Sequence, residues 1–176
     1  MRLVMLAVYV AGLICPCFAQ SERTRIDAQR AAMKKLDFLV GQWAGDVRLS
    51  NERGGLSELV QTEQAQYKSD GLLLVIEGAG LDKYKGEVIS RSLGVVSYDD
   101  EKRSYQLRAW NDGRYVETEL AIIATGKGLA WEYRFGDVRL SHTMQINDRD
   151  GWIQTGEVTA GAEPPRKFLT VSLKRR

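Results

Sequence analysis

The chain has 176 residues, with 25 Lys and Arg against 23 Asp and Glu and a single histidine. A charge this close to balance gives no electrostatic basis for binding nucleic acid or an anionic membrane. Both cysteines lie in the first seventeen residues, so the rest of the chain offers no disulfide, thiol nucleophile or cysteine-ligated metal.

Met1-Arg2 is followed by an apolar run from Leu3 to Ile14, then Pro16 and Cys17-Phe18-Ala19 ahead of Gln20-Ser21-Glu22. A basic start, an apolar stretch and a small residue at a cut site form the pattern of a secretory leader. The run is well short of the roughly 20 apolar residues that a spanning helix needs. Residues 1–19 are therefore predicted to be a signal peptide cleaved after Ala19, and 20–176 a mature domain in the periplasm or outside the cell, with no stable membrane anchor. Neither Cys15, after Ile14, nor Cys17, after Pro16, has the small preceding residue that lipid attachment requires. Taking Arg2 from the 25 basic residues leaves 24 against 23 acidic ones in the mature part. Pro164 and Pro165 are its only prolines and no linker divides it, which points to one domain with a sizeable core.

Ile26, Met33, Leu36 and Val40 recur at helical spacing among charged residues, so 26–40 is predicted to be a short amphipathic helix. After Gly41 the period changes to two: Trp43, Gly45, Val47 and Leu49 alternate with Ala44, Asp46, Arg48 and Ser50, as in a half-buried strand. Further strands are predicted at 58–67, 72–79, 87–98, 103–110, 115–124, 129–135, 138–146, 152–158 and 167–173, about ten in all. Turn residues such as Ser69-Asp70-Gly71, Asn111-Asp112-Gly113 and Asp148-Arg149-Asp150-Gly151 separate them. The glycines of Gly78-Ala79-Gly80 and Gly126-Lys127-Gly128 read as turns at strand ends. Short connections and many strands predict an all-β fold: a closed antiparallel up-and-down barrel of about ten strands with a short N-terminal helix against one end. Leu72-Leu73-Leu74-Val75-Ile76 is apolar on both faces, so its outer side needs a cover, either the helix or a second subunit of a homodimer.

The segment Leu36-Asp37-Phe38-Leu39-Val40-Gly41-Gln42-Trp43, with Gly45, a late Trp152-Ile153 strand and a final Leu173-Lys174-Arg175, resembles the exported bacterial lipocalin-like domains of unassigned function. It is more distantly similar to the calycin superfamily and the nitrobindins. The resemblance implies that Trp43 closes the barrel floor beneath a basic side chain of the last strand, supplied by Lys174, Arg175 or Arg176. That role is structural, since the partly negative ring face attracts a cation.

His142 shares a strand face with Leu140, Met144 and Ile146. It is either a hydrogen-bonded core or rim histidine or, on a haem reading, an axial ligand to iron. In nitrobindins the haem-ligating histidine lies near the C-terminus, and Lys167–Arg176 contains none. Trp131, Tyr133 and Phe135 alternate with Glu132 and Arg134 and predict an aromatic inner wall able to stack a planar ligand. Arg108 would bind a ligand carboxylate if its face pointed inward, and would be a solvated arginine otherwise. Glu117 and Glu119 fall opposite the apolar series of their strand and read as solvated charges rather than an acid and base pair.

There is no Gly-x-Ser-x-Gly elbow, no His-Glu-x-x-His and no phosphate-binding glycine-lysine loop. The resulting expectation is a non-catalytic carrier of a small apolar molecule, with no cofactor and with Arg108, Trp131, Tyr133, His142 and Met144 as candidate ligand contacts. A haem barrel built on His142, acting on nitrogen oxides or peroxides, is one alternative. A protein-interaction module is the other. The expected inward set is Val47, Leu107, Leu120, Ile122, Trp131, Tyr133, Leu140, Met144, Leu169 and Val171.

Overall fold

Ten antiparallel strands close into a barrel in a computed structural model that describes residues 16–50, 55–124 and 126–176. The strands are β1 (Gly41–Ser50), β2 (Leu56–Lys68), β3 (Leu73–Asp82), β4 (Val88–Asp99), β5 (Ser104–Asn111), β6 (Arg114–Ile122), β7 (Gly128–Phe135), β8 (Val138–Ile146), β9 (Gly151–Ala160) and β10 (Arg166–Arg175). Each pairs with its neighbours in sequence, and β1 pairs with β10 to close the ring, as the alternating pattern predicts. The predicted leader run Leu3–Ile14 and Cys15 lie outside the described residues. Among the described residues, no helix is long and apolar enough to cross a membrane.

The predicted helix at 26–40 is two elements. An α-helix, α1 (Pro16–Met33), runs through the expected cut after Ala19 and leads into a 3₁₀ segment, Lys34–Leu39. Met33, Leu36 and Leu39 all have 0% exposure, and their spacing of three explains the change of helix type. In a 3₁₀ turn, residues three apart eclipse one another, so these side chains form one edge that plugs the barrel. Ile26, assigned by helical periodicity to the buried face, is instead 36% exposed.

Two tyrosines fix the plug. Tyr67 Oη donates to the Met33 carbonyl at 2.6 Å and Tyr105 Oη to the Ala32 carbonyl at 2.7 Å, satisfying carbonyls that the end of an α-helix leaves unpaired. Farther back on α1, Arg25 (2.9 Å) and Gln29 (2.6 Å) hold Asp100 of the β4–β5 turn, and Arg30 pairs with Asp70 of the β2–β3 turn. The bonds from Arg25 first, then Gln29, draw the Asp100 carboxyl down to about 2. Inside this end, Trp43 meets Trp152 edge-on at 5.5 Å, and its Nε1 donates to the Leu39 carbonyl at 2.8 Å. Of the three basic residues offered by the C-terminus, Arg175 is the one stacked on Trp43, 4.1 Å from the ring centroid.

Leu74 and Ile76 of β3 turn into the barrel and Leu73 and Val75 turn outward, half-buried. The ladders are uneven. Between every other neighbouring pair seven or more residue pairs are in register, but β6 and β7 share only Leu120↔Trp131, Ala121↔Ala130 and Ile122↔Leu129. Toward the mouth these strands splay, bridged by Thr118 Oγ1 donating to the Glu132 carbonyl at 2.6 Å. Barrel amides outside a ladder exchange through small local openings rather than global unfolding. Those of 132–135 that point toward β6 are expected to exchange fastest among the strand amides, measured by hydrogen–deuterium exchange; protection equal to that of β2 and β3 would contradict the splay.

Candidate functional site

The barrel encloses a cavity of about 900 Å³. Leu39, Trp152 and Leu173 lie at the plugged end, and Trp110 and Phe135, 41% and 46% exposed, stand at the mouth. The inward set predicted from alternation lines it, apart from Ile122, which packs against the core instead.

Trp131, Tyr133, His142 and Met144 come together as one aromatic wall on β7 and β8. The His142 ring lies 5.1 Å and 7° from Trp131 and 5.6 Å and 17° from Tyr133, and meets the edge of Phe168 at 5.7 Å and 84°. Phe168 has no partner in the β9–β10 ladder, being the extra residue of a bulge between Lys167 and Leu169. A bulge re-aims a side chain, and here it sends the ring over Gly156, where a Cβ would come within 3.0 Å of it. Gly156 is also the cross-strand partner of His142, so one glycine makes room for this edge contact.

His142 is 7% exposed, and burial lowers its pKa to about 4, so the ring is neutral at physiological pH. Nε2 is 3.3 Å from the Tyr133 hydroxyl, while Nδ1 is buried with no hydrogen-bond partner. Whichever way the shared proton points, one ring nitrogen is left unsatisfied. Such a group costs about 1–3 kcal/mol.

Arg108 is elsewhere. It is on the outer face of β5, paired with Glu117 through Nε at 3.0 Å and Nη2 at 2.8 Å, while Leu107 and Ala109 take the inward positions. The reading of Arg108 as a ligand contact is thereby corrected: the register of β5 against β6 sets it directly opposite Glu117, and an exposed ion pair leaves both charges in water. Glu119 also faces outward, accepting from Ser104 at 3.1 Å.

The opposite wall carries a polar patch that alternation did not reveal. In the ring order of strands β3 stands across from β8. Here two rows cross three strands in register, Gln61–Gly80–Ser90 and Glu63–Gly78–Ser92. The four polar side chains line the cavity, and the two glycines supply the space they fold into. A Cβ at Gly78 would lie 2.4 Å from Ser92 Oγ and 2.6 Å from Glu63 Oε2, and one at Gly80 would lie 2.4 Å from Ser90 Oγ. Gly78-Ala79-Gly80 is thus the interior of β3 and not a turn. Gln61 Nε2 donates to Glu63 Oε1 at 2.8 Å, yet burial outweighs that bond and raises the Glu63 carboxyl to about 7.

A closed ten-stranded antiparallel barrel, plugged at one end and enclosing a two-sided cavity, defines a calycin-like, lipocalin-like fold. Among solved structures the chain is similar to that of Rv2717c from M. tuberculosis (TM-score 0.62, 14% identity, covering 82% of this chain and 97% of that one). It is also similar to the S-type phycobiliprotein lyase CPES from Guillardia theta (TM-score 0.59, 14% identity, 82% and 92%). At that identity the likeness is one of fold. No family model and no curated protein matches the chain.

Proposed function

We infer that the barrel reversibly binds a small, largely apolar, planar molecule in its cavity. One observation carries this reading: a cavity of about 900 Å³ with the rings of Trp131, His142 and Tyr133 stacked along one wall. That volume falls in the range of small-molecule sites, which are mainly apolar with a few placed polar groups. The likeness to a phycobiliprotein lyase supports small-ligand binding at the level of fold alone. The role is proposed for the periplasm or outside the cell, on the strength of the Leu3–Ile14 run and Ala19. An exported product beginning near Gln20 is the expected result of N-terminal sequencing.

A solvatochromic naphthalene probe is expected to bind with unit stoichiometry and to be displaced by apolar competitors. Trp131→Glu sets a charge without a partner into the aromatic wall, which is strongly unfavourable, and should weaken the probe at least about 100-fold. Circular dichroism of the variant reports whether the barrel remains folded. A folded variant that binds as tightly as the wild type would remove the cavity as the binding site. Native mass spectrometry of the purified protein reports any co-purified ligand and any second copy together.

The haem reading is disfavoured by the ring contacts of His142: Nε2 faces the Tyr133 hydroxyl and Nδ1 is closed off, whereas an iron ligand must present a free nitrogen to the cavity. A sharp Soret band on haem addition, lost in His142→Ala, would overturn this.

A further inference from the structure

We propose that Gln61, Glu63, Ser90 and Ser92 form a head-group subsite that selects a planar ligand bearing a protonated or hydrogen-bearing nitrogen, and disfavours a ligand bearing a carboxylate. The proposal rests on the cavity-binding reading above and adds the chemistry of the ligand's polar end.

The argument is one of charge and partners. Glu63 stands in register between Trp43 of β1 and Gly78 of β3, with Ser92 of β4 beyond. None of these three can offer a countercharge. The other titratable or charged residues that line the cavity are Asp112 and Arg114 at the β5–β6 hairpin by the mouth, and Tyr133 and His142 on the facing wall. The histidine is neutral there. Glu63 Oε1 accepts from Gln61, and Oε2 lies in the space over Gly78 beside Ser92 Oγ.

A carboxyl group so placed gains most from an N–H or ammonium donor, because a hydrogen bond to an ionised acceptor is about twice as strong as one between neutral groups. An anionic head group would meet a like charge with no guanidinium or ammonium beside it, and would favour neither partner's ionised form. The two serine hydroxyls donate or accept as required, so they orient a head group without choosing its sign. Across the cavity the aromatic wall led by Trp131 and Tyr133 lines the space for the planar body of the same ligand.

The test uses three naphthalenes of one shape and different charge, namely 1-naphthylmethylamine, 1-naphthalenemethanol and 1-naphthylacetate, titrated calorimetrically into the full chain at pH 8. Wild type is expected to bind the amine at least about tenfold more tightly than the acetate. Glu63→Gln should bring that ratio to within about threefold, and so should Gly78→Ala, whose Cβ displaces the carboxyl and the Ser92 hydroxyl. Amine binding to wild type should weaken about tenfold from pH 8 to pH 6, as Glu63 takes up a proton, and lose this dependence in Glu63→Gln. Equal binding of amine and acetate, or a preference that survives in both variants, overturns the subsite while leaving the cavity. Binding of none of the three by wild type overturns the cavity reading, and the subsite with it.

Discussion

Replacing Trp43 with alanine is expected to cost about 3–5 kcal/mol of stability, the range for deleting a large aromatic side chain from a packed core. Trp43 is 1% exposed, and three contacts depend on it. Its Nε1 is the donor to the Leu39 carbonyl, its ring meets Trp152, and its face seats Arg175. Arg175 in turn donates to the Phe38 carbonyl at 3.0 Å and to the Val40 carbonyl, and pairs with Asp150 at 2.8 Å. Truncation therefore leaves a void, strands a buried carbonyl and releases the cation that ties β10 to the plug and the β8–β9 turn. In a domain of this size each kcal/mol moves the melting temperature by about 2–4 °C, so a fall of roughly 6–20 °C should appear in thermal unfolding. Trp43→Phe should recover part of it, since it restores the ring but not the donor. A loss below about 1 kcal/mol for Trp43→Ala would mean that the floor is not held in this way.

The second large effect is concealed in the wild type. Burial lowers His142 from 6.5 to about 4 and raises Glu63 from 4.5 to about 7. For His142 the unfolded chain holds more protons between those values, so its contribution is fully present above pH 6.5 and is lost as pH falls toward 4. For Glu63 the folded chain holds more protons, so its contribution is fully present below pH 4.5 and is lost as pH rises through 7. The two slopes have opposite sign over nearly the same window. Each shift corresponds to on the order of 3 kcal/mol, so they largely cancel. Relative to wild type, Glu63→Gln should therefore gain stability as pH rises from 4.5 to 7, and His142→Phe should gain as it falls from 6.5 to 4. Urea unfolding of the three proteins at half-unit intervals of pH measures this, and parallel profiles would contradict the burial of both groups without a countercharge.

The strands and the closure were legible in the sequence because most of the barrel obeys a period of two, and β8 falls on the predicted 138–146 without adjustment. The aromatic wall followed from the same rule, since only one parity of β7 is apolar. Where both parities carry the same chemistry the rule is silent. On β2, Gln61, Thr62, Glu63 and Gln64 are polar in succession, and nothing local says which of them turn inward. On β5 the neighbours of Arg108 are just as ambiguous, and Glu117 resolves them through register, a non-local property. In sequence, Gly78 and Gly80 look like punctuation because strand interiors seldom use glycine. Their reason is volume, visible only once Glu63 and Ser92 stand on either side. The 3₁₀ segment escaped because two turns are too short to separate a period of 3 from one of 3.6.

The short seam between β6 and β7 bears on the girth of the barrel. A ring of strands laddered all the way round has a fixed circumference, since widening it at any point breaks a run of backbone hydrogen bonds. Here, among the described residues, the upper half of one seam is bridged by the Thr118 hydroxyl rather than by a ladder, which gives the ring the form of a split collar. Its plugged end is tied by the tyrosine and Arg175 contacts, and its open end has few backbone hydrogen bonds to lose on spreading. For the ligand-binding role proposed above, the expectation is that a guest thicker than the gap between the aromatic wall and the glycine-floored wall enters by flexing that collar, with the plug kept intact.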